Sequence, residues 1–345
     1  VPFCGMRCGF CNLFTMANPK PQLTARYLEA FERQAETLAE ELDGARAAHF
    51  VIGGGTPTYL AAENLAHLID TTIRLYNADM KHIPSSVETS PGTASEERLA
   101  VLAERHVERI SIGAQSFSEV ERCAMGRPQK RSQLETALDR IRQAGFPVLN
   151  IDLIYGAENQ TADTLRQSLR RALMWRPEEL YLYPLYVRPE TGLGGRVETW
   201  DAHRVMLYRT ARDFLLSEGY VQMSMRLFQR ADRPLRAGAA EFSCHNDGML
   251  GLGPGARSTT ERLHYSTKYA VDRASVLRIL EAYCQESDDA YRYTTYGIEL
   301  DDDDQIRRYV LKSILRSEGL DVADFTARFG LGSVWEFVPL TTLAE

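Results

Sequence analysis

Five short apolar runs recur through the first half of this sequence, and each is followed by an amphipathic stretch of helical period. The runs are 47–52 (AAHFVI), 85–89 (SSVET), 109–112 (RISI), 148–154 (VLNIDLI) and 179–183 (ELYLY). A helical pattern at 24–41 precedes them and others at 61–76, 94–104, 132–144 and 161–174 lie between them, with Thr24, Thr93, Ser132 and Thr161 as candidate caps. Strands that alternate with helices run parallel, joined by right-handed crossovers. Apolar, β-branched runs fit strands covered on both faces. A further strand before Cys4 brings the count near six. The expected fold is α/β, a partial (β/α)6 barrel rather than a doubly wound sheet.

The pattern changes after a helix at 201–216. Residues 220–228 read as a strand, and 230–260 are rich in Gly, Ala and Arg. Helices are expected at 276–284 and 305–317. The acidic run Asp301 to Asp304 precedes the second and complements its dipole without needing a metal. The expected division is a core barrel over 1–219 and a smaller C-terminal α+β domain over 220–345.

Composition narrows the function. The 345 residues carry a net charge of −7, with Lys and Arg scattered, so no nucleic-acid track is expected. No apolar run approaches the ~18 residues of a membrane span, and no signal-peptide pattern opens the chain. Six cysteines are too sparse for a disulfide scaffold, so reduced thiols and a cytoplasmic location are expected. Because termini fray, a chemical site at Cys4 implies further residues upstream of Val1 in the natural protein.

Three of the cysteines form Cys4-x3-Cys8-x2-Cys11. Ordinary thiols are one reading. Structural zinc normally takes four Cys or His ligands, and a ferredoxin cluster takes four thiolates. Three thiolates on a four-iron cluster leave one iron open to a small molecule.

With Phe10 just before the third cysteine, this motif resembles the signature of the radical S-adenosylmethionine superfamily. Pro2-Phe3-Cys4, the 53–58 run GGGTPT, Glu88 in VETSPGT, the 111–117 run SIGAQSF, Gly126-Arg127 and the 150–156 run NIDLIYG follow in order. Together they resemble the HemN-like group of oxygen-independent coproporphyrinogen III oxidases over 1–190. The likeness is weaker through Ser224-Met225-Arg226 and 250–257 (LGLGPGAR).

The resemblance implies that Cys4, Cys8 and Cys11 hold a [4Fe–4S] cluster whose open iron binds S-adenosylmethionine and reduces it to a 5′-deoxyadenosyl radical. It implies that Gly54, Gly55 and Glu88 contact that molecule. Phe10, Thr56, Gln115, Arg127 and Asp152 would contact a second one, with Ala256 and Arg257 near an adenine. It also implies a small-molecule substrate and an external electron donor of flavodoxin or ferredoxin type. Each residue also has a plain structural reading: a tight turn at Gly53 to Gly55, an exposed turn carboxylate at Glu88, a helix-end cation at Arg127. Tyr155 and Glu158 are candidates for proton handling. Tyr181, Tyr183 and Tyr186 read as core or rim packing rather than a radical relay, and Cys244-His245 adjoins the glycine loop, where a place in the substrate pocket is the lesser reading.

The coproporphyrinogen oxidases of this group carry a fourth cysteine two residues after the third. Here that position is Leu13. The departure points to a class C methyltransferase or cyclopropanase using two S-adenosylmethionine molecules, one as radical source and one as methylene donor. The alternatives are a porphyrin- or haem-directed radical enzyme, and a haem chaperone that binds haem without turnover.

Overall fold

A computed structural model describes residues 1–42, 44–194, 202–232 and 248–330. The chain opens with β1 (Phe3–Cys4) and β2 (Met16–Ala17), a parallel pair bracketing the cysteine loop. Then come α1 (Pro21–Glu41), β3 (Phe50–Ile52), α2 (Ala62–Leu75), β4 (Ser85–Thr89), α3 (Glu96–Glu104) and β5 (Arg109–Gln115). Next are α4 (Glu119–Ala124), α5 (Arg131–Gln143), β6 (Val148–Tyr155), α6 (Ala162–Leu173) and β7 (Glu179–Pro184). The parallel strands lie side by side in chain order, β3-β4-β5-β6-β7. Repeated right-handed crossovers with no reversal of order curl a sheet towards a barrel. The α/β, partial-barrel expectation therefore holds.

Beyond α7 (Ala202–Ser217), the hairpin β8 (Tyr220–Gln222) and β9 (Leu227–Arg230) extends this same sheet, with β9 antiparallel to β7. The strand expected over 220–228 is thus a turn flanked by two short strands. The expected 219/220 boundary falls between a helix and a hairpin of one continuous structure. A second, antiparallel sheet follows: β10 (Arg257–Thr259), β11 (Leu263–Ser266) and β12 (Gly297–Glu299). It is accompanied by α8 (Arg273–Gln285), α9 (Asp302–Ser313) and α10 (Val322–Phe329). The sixth parallel strand expected near Cys4 is only the two-residue β1, which lies outside the main sheet. It docks there through Thr56 N–H to Phe3 O at 2.7 Å.

The inner strands are not apolar on both faces, which corrects the reading from composition. On β5 and β6, Ile110, Ile112, Leu149, Ile151 and Leu153 pack under the helices. Arg109, Ser111, Gln115, Asn150 and Asp152 alternate with them on the inner face. The period of two sorts polar from apolar. Burying the five aliphatic side chains stabilises by roughly 1.5–3 kcal/mol each.

Helix starts follow local chemistry. Thr161 caps α6 in a reciprocal box with Thr164. The other three expected caps do not cap. Pro21, with its fixed φ, starts α1 ahead of Thr24. Ser95 caps α3, while Thr93 lies 2.7 Å from Thr58 Oγ1. α5 starts at Arg131, before Ser132. Asp301 caps α9 and Asp302 to Asp304 fill its first turn. Among the described residues no helix is long and apolar enough to cross a membrane.

Candidate active site at the mouth of the barrel

The cysteine loop lies where the parallel strands end. Its placement rests on glycines. Gly9 N–H donates to Met125 O at 3.1 Å, and a Cβ on Gly126 (φ +66°) would come within 2.8 Å of Gly9. Only glycine at 126 permits that approach without strain. A Cβ on Gly55 would likewise sit 2.6 Å from Phe3 O.

Each thiol has its own polar neighbour. Thr56 Oγ1 donates to Cys4 Sγ at 3.5 Å, Arg127 Nη1 donates to Cys8 Sγ at 3.0 Å, and Thr15 Oγ1 lies 3.8 Å from Cys11 Sγ. Burial pushes the Cys4 thiol up to about 11, against the pull of Thr56. Among the described residues no three Cys, His, Asp or Glu side chains group as ligands for one ion. A zinc ion needs its ligands to meet about 2.3 Å from one point. Three thiols on one loop, supported by a cation and two hydroxyls but not converging, fit a larger body with separate corners, as a four-iron cluster is.

Beside the loop, Gly54 (φ +106°) follows β3, and its backbone N–H donates to the Glu88 carboxylate. The absence of a side chain at Gly53 makes the room: a Cβ there would lie 3.1 Å from that carboxylate. Burial, and then the negative field of Asp152, raise Glu88 to about 7. Asp152 accepts from Asn150 Nδ2 at 2.7 Å and Ser111 Oγ at 3.1 Å. Burial raises its pKa, opposed by Arg109 and these two donors. Asn150 Oδ1 is buried without a partner among the described residues. Gln115 ends β5 at a bulge with φ +66°, which costs a non-glycine residue about 1 kcal/mol. Arg127 Nη2 donates to Gly113 O at 2.8 Å, beside it. Strain and an unmet acceptor on an inner face are the marks of a binding surface.

The fold gathers most of the residues singled out in the sequence. Cys4, Cys8, Cys11, Gly54, Gly55, Thr56, Glu88, Gln115, Arg127 and Asp152 line this mouth. Phe10 packs with Met125, Ile154 and Leu185 at its rim. Arg257 is exposed on β10, and the glycine loop before it packs on α1 and the cysteine loop. A Cβ on Gly255 would lie 2.7 Å from Phe14, and Gly253 N–H donates to Gln34 Oε1 at 2.8 Å. Tyr155 points to the helix layer, 5.6 Å from Tyr208, and burial raises it to about 12. Glu158 is exposed. Cys244-His245 lies outside the described residues. Sequence reading missed Arg109, Ser111, Asn150 and Tyr269, whose hydroxyl donates to Asn12 O in the cysteine loop. The first three were visible as alternate polar positions in RISIGAQ and LNID.

Comparison with known proteins agrees with this geometry. The family model described as "Radical SAM superfamily" matches residues 1–172, about half of the chain and the part that carries the thiols, Glu88 and Asp152.

The chain belongs to the Radical SAM superfamily.

Its likeness continues past that domain. It is 26% identical to the oxygen-independent coproporphyrinogen III oxidase of Synechocystis sp., over 98% of this chain and 74% of the relative. It is 28% identical to the heme chaperone HemW of Bacillus subtilis, over 74% of this chain and 68% of that one. The solved structure of Escherichia coli coproporphyrinogen III oxidase (HemN) superposes with a TM-score of 0.83 at 24% identity, covering 98% of this chain and 79% of that one. At that identity the match speaks for the fold. The expectation of a class C methyltransferase or cyclopropanase is overturned by these relatives. It rested on both S-adenosylmethionine residue sets being present while the fourth cysteine is replaced by Leu13, against a likeness to coproporphyrinogen oxidases over nearly the whole chain.

Proposed function

We propose that this radical S-adenosylmethionine protein acts on a carboxylated tetrapyrrole of the coproporphyrinogen class. The observation that carries the reading is the likeness to oxygen-independent coproporphyrinogen III oxidases along 98% of the chain, C-terminal sheet and helices included. In this reading Cys4, Cys8 and Cys11 hold a [4Fe–4S] cluster. With S-adenosylmethionine bound and one electron from a flavodoxin- or ferredoxin-type donor, that cluster supplies hydrogen-abstracting radical chemistry. Arg127 adds positive charge beside Cys8. Gly54 and Gly55, which carry no side chain, leave room for the S-adenosylmethionine, and Glu88 offers it a carboxylate acceptor. Phe10, Thr56, Gln115, Arg127 and Asp152 offer acceptors, a cation and an apolar edge to a second molecule. Tyr269 and Phe14 brace the loop and limit water at its rim.

The test is anaerobic incubation of the reconstituted, reduced protein with S-adenosylmethionine and coproporphyrinogen III. The expected result is substrate-dependent release of 5′-deoxyadenosine together with a decarboxylated porphyrinogen. A second reading, haem binding without turnover, is favoured by Leu13 and by the chaperone relative. Leu13 is 47% exposed at the edge of the loop and offers no thiolate. That reading predicts a Soret band on adding haem and no 5′-deoxyadenosine. If neither tetrapyrrole binds, both readings fail.

A further inference from the structure

Four side chains stack along the inner wall beside β7, with a cation at each end. Arg109 lies over the Tyr181 ring at 5.4 Å, Tyr181 and Tyr183 stack at 5.7 Å, and Arg226 lies over Tyr183 at 5.5 Å. The two cations are treated differently. Arg109 donates to Glu179 Oε2 at 2.6 Å and Ser86 Oγ at 2.8 Å. Arg226, at the strand-end side, has no acceptor for its guanidinium among the described residues, and its Nε is buried without a partner.

Its backbone is nevertheless held firmly. Arg226 N–H donates to Ser224 Oγ at 3.2 Å, and Arg226 O accepts from Leu182 N–H at 2.9 Å. The turn is also tied to the segment after α9, through Met225 N–H to Leu315 O at 2.9 Å and Ser317 N–H to Met223 O at 3.0 Å. A pinned turn presenting a half-buried guanidinium with an unmet Nε is organised in advance for an anion. Leaving such a buried donor unmet is unfavourable, and a ligand that accepts from it recovers that loss on binding. The planar fork of a guanidinium matches a carboxylate.

We propose that Arg226 is the substrate-carboxylate anchor of this site and sets its specificity for an acid over an ester or amide. The assignment rests on the tetrapyrrole reading for the identity of the acid, since coproporphyrinogen carries peripheral propionates. The anchor itself rests on the unpaired guanidinium.

The test measures binding of coproporphyrin III and its tetramethyl ester to reconstituted wild-type protein, Arg226→Gln and Arg226→Lys. Iron content and circular dichroism verify that the variants fold. Arg226→Gln should weaken free-acid binding at least tenfold and leave ester binding unchanged. Arg226→Lys should fall between, because charge is kept and the fork is lost. Equal free-acid binding by wild type and Arg226→Gln overturns the anchor. If the wild type binds neither porphyrin, the tetrapyrrole reading fails and the anchor is judged separately. Phenylglyoxal labelling of Arg226, read by mass spectrometry, should then be suppressed by glutarate. Labelling indifferent to glutarate sinks the assignment.

Discussion

At the floor of the barrel, Glu178 accepts from Leu149 N–H at 2.8 Å and from Arg142 Nη1 at 3.0 Å, with Arg230 Nη1 at 3.6 Å. Arg109 and Glu179 pair beside it. At the mouth, Glu88 faces another carboxylate, Asp152, and among the described residues Asn150 leaves an oxygen unmet and Arg226 has no acceptor. Both regions take charge out of water; the floor pairs it in direct ion pairs, while at the mouth Arg109 opposes the charge of Asp152 without an ion pair to it. In barrels of parallel strands the N-terminal face serves stability and the C-terminal face serves chemistry. Pairing is the local signature of that division here, and unmet polarity is what the mouth keeps for its ligands.

The largest expected effect lies at the mouth. Cys8→Ala should abolish the cluster, giving iron and sulfide near zero and no 5′-deoxyadenosine, with the fold retained. Metal analysis and circular dichroism of the anaerobically reconstituted variant decide it. A full iron complement would refute the ligand assignment. The matching change at the floor should do the reverse. Glu178→Gln leaves Arg142 and Arg230 without their shared, almost fully buried carboxylate, at a cost of about 3 kcal/mol. Denaturant unfolding should show the loss while iron content stays at the wild-type level. A floor variant that lost iron without losing stability would break the comparison.

Much of the mouth was legible in the sequence because its chemistry is local. Three thiols within eight residues, Gly53 to Gly55 and the VETSPGT segment announce themselves in short windows. The parallel units were legible because burial under helices imposes apolar runs. The inner polar face was obscured, since RISI and VLNIDLI read as apolar unless alternate positions are separated. The turn at 223–226 was hidden for another reason. Tyr220 to Phe228 carries no Gly or Pro, and the hairpin is held by bonds to the distant Leu315 and Ser317. The class C reading failed because a retained cofactor set and one lost cysteine at Leu13 do not define the reaction, and activity depends on the whole cavity around the loop.

The smallest effect sharpens the contrast by its sign. Glu88 has a pKa of about 7 in the folded chain against 4.5 for the ordinary carboxyl. The folded state therefore binds this proton more tightly than the unfolded one. The stability Glu88 contributes is fully present below about pH 4.5 and is lost as pH rises through 7. At about 1.4 kcal/mol per pKa unit, the loss is about 3 kcal/mol at most, and less if the mouth relaxes. Glu88→Gln removes the titration. Iron-free Glu88→Gln should thus be more stable than the parent at pH 8, with a much smaller difference at pH 5, in thermal unfolding without S-adenosylmethionine. The same variant should bind S-adenosylmethionine more weakly than the parent. Glu178→Gln should destabilise at both pH values. If Glu88→Gln also destabilised at pH 8, Glu88 would already be satisfied within the protein, and the mouth would be a second floor.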